Sequence, residues 1–327
     1  MKVLIIQTAF IGDVILATPV VEKLYQHFPD AQIDFLLRKG NESLFEKHPY
    51  LNNVIVWDKK AGKYSALSRI ISEVRKAKYD KVINLHRFGS SGLVTFLSGA
   101  KEKIGFDKNP FSFCYTRKVQ HIIGDGKHEV ERNLELVASF TDTGMQLPRL
   151  YPQPTDYESV ALYKAKPYIC VAPSSVWFTK QFPANKWIEF LDRLESKYKV
   201  YLLGAGGDIE LCNQIIQSTK NKQVKNLAGK LSFLQSAALI NDAVMNYVND
   251  SAPMHIASAM DAPVTAVYCS TVPVFGFGPL SKKSFIIETE EKLDCRPCGL
   301  HGYKACPKGH FKCATTIKTE RLLKVLE

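Results

Sequence analysis

The chain has no window of about 20 consecutive apolar residues, so it offers no candidate for a bilayer-spanning helix. Its first residues also lack the basic, apolar and small-residue order of a secretory signal. VLII is only four apolar residues, and Gln7 and Asp13 follow closely. Neither a basic tail nor an RGG-like tract is present, and the C-terminal cysteines come with few interleaved aromatics and no known recognition helix, so a nucleic-acid partner is not expected. A composition that is 46% hydrophobic and 23% charged excludes disordered and fibrous classes. The dinucleotide fingerprint is missing too. VYLLGAGGDIELC lies deep in the second half and lacks the third glycine, which argues against a dehydrogenase. Together these absences predict a cytoplasmic protein.

What is present is a chain of 327 residues, enough for two domains with sizeable cores. The net charge of +11 is spread over the whole length, which favours an anionic ligand or an anionic membrane surface. Runs rich in Val, Ile and Leu (KVLIIQ, QIDFLLR, NVIVWD, KVINLH) alternate with segments of helical spacing such as TPVVEKLYQHF and SALSRIISEVRKA. Such runs suit strands buried on both faces, and the alternation implies parallel sheets with crossover helices. After HEVERNLELVASFTDTG the pattern pauses at the Pro-rich, aperiodic LPRLYPQPTD, then restarts at YICVAPS and continues through KVYLLGAGG, VKNLAG, MNYVND and PVTAVYCS. The expected organisation is two doubly wound, Rossmann-like domains, 1–155 and 156–327. A cysteine-rich segment (295–313) and a short terminal helix would complete the second.

Ligands of doubly wound sheets sit beyond the carboxyl ends of the strands, so the turns there are the places to look for chemistry. In FIGDVILATP the first such turn carries Gly12 and Asp13. An acid in the first turn of a helix can act as a base, or can simply answer the helix dipole. PSSVWFTKQFPANKW puts Ser174, Ser175 and Lys180 after a strand. Hydroxyls and one lysine suit a diphosphate, and equally suit an ordinary polar loop. In VNDSAPMHIASAM, Asp250, Ser251 and Ala252 lie at a strand end and helix start, where they can receive a phosphate or only cap the helix, with His255 packed one turn in. Asp208 and Glu210 follow the glycine-bearing turn, where either can meet ribose hydroxyls or Asp208 can serve as N-cap.

In order and spacing, IGDVILATPVV, HEVERNLEL, APSSVWFTKQFPANKW, LAGKLSFLQSAALINDAVMNYVNDSAPMHIASAM and CRPCGLHGYKACPKGHFKC resemble the glycosyltransferases of family nine, the lipopolysaccharide heptosyltransferases. The resemblance implies a GT-B architecture, two Rossmann-like domains with parallel sheets facing a central cleft. The N-terminal domain would bind the acceptor and the C-terminal domain the nucleotide sugar. It implies that Asp13 is the general base, that Lys180 contacts the donor diphosphate with Ser174 and Ser175 beside it, and that Asp250, Ser251 and Ala252 stand for the family's D-[ST]-G near the donor phosphates. Alanine replaces the glycine there. An acid after the middle strand of the second domain, Asp208 or Glu210, would hold the ribose.

The implied reaction is inverting, metal-independent transfer of heptose from ADP-heptose to the inner core of lipopolysaccharide or lipooligosaccharide. The expected setting is the inner face of the inner membrane, where the enzyme would be peripheral. A related transferase using another nucleotide sugar, or a non-catalytic nucleotide-binding protein, is the alternative. Gly12, Lys59, Lys60 and Lys63, with Lys101 and Lys103, are expected to meet a phosphorylated lipid A-core acceptor or the bilayer.

Of eight cysteines, Cys114, Cys170, Cys212 and Cys269 read as small buried hydrophobes. Cys295, Cys298, Cys306 and Cys313, with His310 among them, have a spacing that can close a tetrahedral zinc site; a reduced packing cluster or an occasional disulfide is the other reading. No cofactor is expected to be required.

Overall fold

The computed structural model describes residues 1–327, apart from the side chain of Lys63. Two compact units divide it, Met1–Tyr151 and Pro152–Glu327, so the junction falls four residues before the expected 155/156 boundary.

The first unit contains β1 (Lys2–Ile6), β2 (Gln32–Arg38), β3 (Asn53–Trp57), β4 (Lys81–Asn84), β5 (Glu102–Phe106) and β6 (Arg117–Val119). They form one six-stranded sheet in the order β3-β2-β1-β4-β5-β6, parallel throughout. Val3, Leu4, Ile5 and Ile6 are fully buried because helices cover both faces, which is why β1 reads as an unbroken apolar run. Ala66, Ile70 and Val74 of the helix Lys63–Lys76 recur at intervals of four residues. They pack on Leu4, Leu36, Ile55 and Val82.

The second unit repeats this design with β7 (Tyr168–Ala172), β8 (Lys199–Leu202), β9 (Val224–Asn226), β10 (Met245–Asn249), β11 (Val264–Tyr268) and β12 (Ser284–Glu288), in the order β12-β11-β10-β7-β8-β9. Counted within the unit this is again 3-2-1-4-5-6, the dinucleotide-fold order, with all pairings parallel. Trp187 and Phe190 of the helix Ala184–Arg193 are fully buried against Ile169, Val171 and Tyr247. Truncating either to alanine would cost about 3–5 kcal/mol. The helix Phe233–Asn241 is started by a reciprocal cap: Ser232 Oγ accepts from Gln235 N–H at 3.1 Å, and Gln235 Oε1 accepts from Ser232 N–H at 2.9 Å.

Three expectations change. LPRLYPQPTD is not extended throughout, because Pro154 occupies the first turn of a helix, Pro154–Val160, where its missing N–H is no loss. The helix expected over HEVERNLELVASFTDTG is confined to Glu129–Glu135. Cys114 is only half-buried and donates through sulfur to the Phe111 carbonyl at 2.9 Å, whereas Cys170, Cys212 and Cys269 are in the core.

Candidate active site

In each unit the strand order reverses at one point, between β1 and β4 and between β7 and β10. The crevice outside the carboxyl ends at such a point is where doubly wound sheets bind ligands. The chemistry-bearing residues gather at these two places.

In the first unit β1 turns at Phe10 into a short helix, Ile11–Ile15, that contains Gly12 and Asp13. Asp13 Oδ2 accepts the Phe10 N–H at 3.2 Å, so the acid does cap its helix. It is also perturbed. Desolvation first, and then the charge of Glu129, push its carboxyl up to about 6, against the opposing pull of the Phe10 N–H and Arg87. Glu129 is itself buried and held by Arg132 Nε at 2.8 Å and His121 Nε2 at 3.3 Å. Asn133, on the same helix as Glu129, donates to the Leu16 carbonyl at 3.1 Å and ties the two helices together. A carboxyl poised near neutrality at a strand end has the protonation behaviour of a general base.

Around it the ends of β2, β3 and β4 supply cations on the same edge of the sheet. Lys59 is an exposed residue whose ammonium turns inward, donating to Thr8 Oγ1 at 3.0 Å and to the Thr8 carbonyl at 3.2 Å while lying 4.8 Å from the Trp57 ring centroid. Desolvation and Arg38 lower its pKa. His86 Nδ1 is 3.0 Å from the same Thr8 hydroxyl. Burial, then Lys59, Arg87 and Arg38, push the imidazole down to about 3, so it is neutral. Arg38 stacks over Phe10 at 4.6 Å. Among the described residues Arg38, Lys59 and Arg87 make no salt bridge to a carboxylate, which leaves three cations available to an anion.

Of the lysines expected here, Lys60 is exposed, and Lys63 opens the helix Lys63–Lys76 with its side chain outside the described residues. Lys101 and Lys103 are not part of the cluster. They flank the start of β5, at the amino-terminal edge of a parallel sheet, and Lys101 faces Asp80 at 3.7 Å. Net charge does not distinguish the two edges, whereas strand direction does.

In the second unit the loop after β7 holds Ser174 and Ser175, both half-buried, and Lys180. Lys180 Nζ lies 2.7 Å from Asp250 Oδ2, beyond the end of β10, and Thr271 Oγ1 donates to the same oxygen at 2.6 Å. Asn249 clamps the loop to β10, accepting Phe182 N–H at 2.9 Å and donating to the Pro173 carbonyl at 2.8 Å. Ser251 occupies the N-cap position of the helix Ala252–Ala259, but its hydroxyl donates back to the Asn249 carbonyl at 3.3 Å, so the helix start is not capped by its side chain. Ala252 has ordinary helical backbone, so alanine in place of glycine introduces no strain. His255 is buried in the same helix.

After β8, Asp208 Oδ2 accepts the Ala205 N–H at 2.8 Å and closes the turn, whose Gly204 leaves room for it; a Cβ there would stand 2.8 Å from that oxygen. Glu210 lies in the first turn of the following helix and is exposed.

Cys295, Cys298, Cys306, Cys313 and His310 line one cavity of about 210 Å³, and all four thiols are free. Cys295 Sγ is 3.9 Å from His310 Nε2. Burial and the neighbouring sulfurs push the Cys313 thiol up to about 12. Among the described residues no three His, Cys, Asp or Glu side chains stand in an arrangement that could hold a metal ion.

Sequence reading named Asp13, Lys180 and Asp250 but passed over Thr8, Arg38, His86, Arg87, Asn249 and Thr271. Each of these sits at or just after a strand's carboxyl end, and that position was the available signal.

The chain is 29% identical over 286 residues to lipopolysaccharide heptosyltransferase 3 of Escherichia coli K12, covering 81% of each protein. It is 26% identical over 333 residues to lipooligosaccharide heptosyltransferase 2 of Campylobacter jejuni, covering 99% of this chain and 96% of that one. The solved structure of E. coli ADP-heptose LPS heptosyltransferase II superposes with a TM-score of 0.82 at 23% identity, over 100% of this chain and 97% of the other, and so shares its fold. Residues 67–302 match the family model for glycosyltransferase family 9 (heptosyltransferase), and the chain belongs to that family of glycosyltransferases.

Proposed function

We propose that this enzyme transfers heptose from ADP-heptose to the inner core of lipopolysaccharide or lipooligosaccharide, with inversion at the anomeric carbon. The observation that carries the reading is the division of labour between two strand-order reversals: a perturbed acid with uncommitted cations at one, a lysine with a hydroxyl-bearing loop at the other. The names of the relatives, all three lipopolysaccharide or lipooligosaccharide heptosyltransferases and one of them an ADP-heptose enzyme, support the choice of sugar and donor.

The acceptor hydroxyl is a weak nucleophile at neutral pH, and the Asp13 carboxylate removes its proton as the oxygen attacks the anomeric carbon. The bond from that carbon to the diphosphate oxygen breaks on the opposite side, giving inversion by a single displacement. Charge that develops on the departing ADP is met by Lys180, whose ammonium leaves Asp250 for the phosphates, and by the side-chain-uncapped N-terminus of Ala252–Ala259. Ser174 and Ser175 donate to the same oxygens, and exposed Glu210 accepts from the ribose. Arg38, Lys59 and Arg87 hold the phosphates of a lipid A-core acceptor. Nothing in this scheme calls for a metal. No described helix is long and apolar enough to cross a membrane, and the enzyme meets its lipid acceptor as a peripheral protein.

The test is to incubate the protein with ADP-heptose and a lipid A-core acceptor lacking heptose, alongside other nucleotide sugars, and to follow the product by mass spectrometry and its anomeric configuration by NMR. Addition of one inverted heptose from ADP-heptose supports the reading. Transfer only from another nucleotide sugar, or retention of configuration, contradicts it.

A further inference from the structure

The scheme above gives the cysteine-rich segment no part in transfer, yet its hydrogen bonds run directly to the loop that carries Lys180. Thr179, the residue before the lysine, is 1% exposed. Its Oγ1 accepts from the Tyr303 N–H at 2.7 Å and is 3.0 Å from Ser270 Oγ. Its backbone is engaged as well: Thr179 N–H donates to the Tyr303 carbonyl at 3.1 Å, and Ser270 N–H donates to the Thr179 carbonyl at 3.2 Å. Cys298 N–H then donates to the Ser270 carbonyl at 2.8 Å, which closes the connection back to the cysteines.

Gly302 shows how close this approach is. It has φ +74°, and a Cβ built on it would stand 2.8 Å from Thr179 Oγ1, 3.1 Å from Lys180 Cγ and 3.2 Å from Ser270 Oγ. The segment therefore lies against the aliphatic stem of the lysine, with room only for hydrogen. Arg296 anchors the same segment from the other side. Its guanidinium donates to the Cys269 carbonyl at 2.8 Å and the Thr271 carbonyl at 2.8 Å and pairs with Glu288 at 2.7 Å. Thr271 is the residue whose hydroxyl holds Asp250, the partner of Lys180. Both halves of the lysine–aspartate pair are thus braced by one stretch of chain.

We propose that residues 295–303 form a strap that positions Lys180 for the donor diphosphate, with Thr179 and Gly302 as its positioning residues. The inference rests on the reading of Lys180 as the diphosphate contact. A lysine reaching a diphosphate as a point charge has a long, flexible stem, and fixing that stem fixes where the charge sits when the leaving group forms. Cys298 joins this support through its backbone N–H rather than its thiol.

The test is a set of variants in the full chain: Thr179→Ser, Thr179→Val, Gly302→Ala, Lys180→Ala, and Gly302→Ala combined with Lys180→Ala, each checked for folding by its melting curve. Thr179→Ser keeps the accepting oxygen and is expected to retain transfer. Thr179→Val and Gly302→Ala are expected to lower kcat by about tenfold or more while the acceptor KM is unchanged. In the Lys180→Ala background Gly302→Ala should add less than about twofold, because the group it misplaces is gone. Equal losses in both backgrounds would overturn the strap and mark Gly302 as a general packing position, as would full activity of Gly302→Ala alone. If Lys180→Ala itself kept full activity, the role of the lysine would fall first and the strap with it, and the single variants distinguish that outcome from the others.

Discussion

Lys180 and Asp250, 70 residues apart in sequence, meet at 2.7 Å where the loop after β7 passes the end of β10, and both side chains are largely buried. An ion pair taken out of water contributes little net stability, but removing one partner leaves an uncompensated charge. Here the pair holds a cation at the mouth of a strand-order reversal, and under the proposed function an anionic ligand takes it over.

Lys180→Ala is therefore predicted to act on chemistry and stability together. Turnover should fall by about 10²–10³-fold, the loss seen when one preorganised group facing a developing oxyanion is removed. The buried Asp250 carboxylate, left with only the Thr271 hydroxyl, should lower the melting temperature. Steady-state kinetics and a thermal melt on the same preparation check both parts.

The acid limb of the pH profile should report Asp13. A general base works only when ionised, and the Asp13 carboxyl is pushed up to about 6, so under the proposed mechanism kcat/KM should be level above that value and fall about tenfold per pH unit below it. A limb near 4 would mean that the environment of Asp13 does not shift it.

The same shift has a stability sign. The folded pKa lies above the ordinary 3.8, so the unfolded chain releases this proton first, and the fold loses stability as pH rises from about 4 to about 6. Asp13→Asn removes that burden and keeps an oxygen to accept the Phe10 N–H, and it should stabilise the protein at pH 7 by up to about 3 kcal/mol. Asp13→Ala loses the cap, and should fall short of the Asn variant by about 1 kcal/mol. Denaturant titrations at pH 7 and pH 4 separate the two.

Lys59→Met should raise the acceptor KM and flatten its dependence on salt, because the ammonium lies among the cations at the carboxyl edge of the first sheet. Lys101→Met and Lys103→Met should leave both quantities unchanged, since those residues flank the start of β5 on the opposite edge. Acceptor titrations at two ionic strengths decide.

Much of this was legible in the sequence because buried parallel strands are written as uninterrupted apolar runs: VLII, DFLL and YICVA are strands in the structure. The runs that escaped notice, β5, β6 and β12, are at or next to sheet edges, and EKIGF, RKV and SFIIE carry charge or polar residues within a short span. Asp13, Lys180 and Asp250 could be found because each follows a readable strand. Their partners could not. That Glu129 would press on Asp13, or that Tyr303 would bond Thr179 from 124 residues away, depends on which loops each sheet brings together within its own unit, and no local pattern encodes it. Of the two acids after β8, only the geometry shows that Asp208 accepts the Ala205 N–H.

Whether Asp13 takes the proton from the acceptor is decided by measuring transfer by Asp13→Asn under saturating ADP-heptose and acceptor, with donor affinity determined by calorimetry on the same sample. A folded protein with unchanged donor affinity and turnover reduced by about 10²–10⁴-fold is expected; turnover near that of the unaltered enzyme would show that Asp13 is not the base.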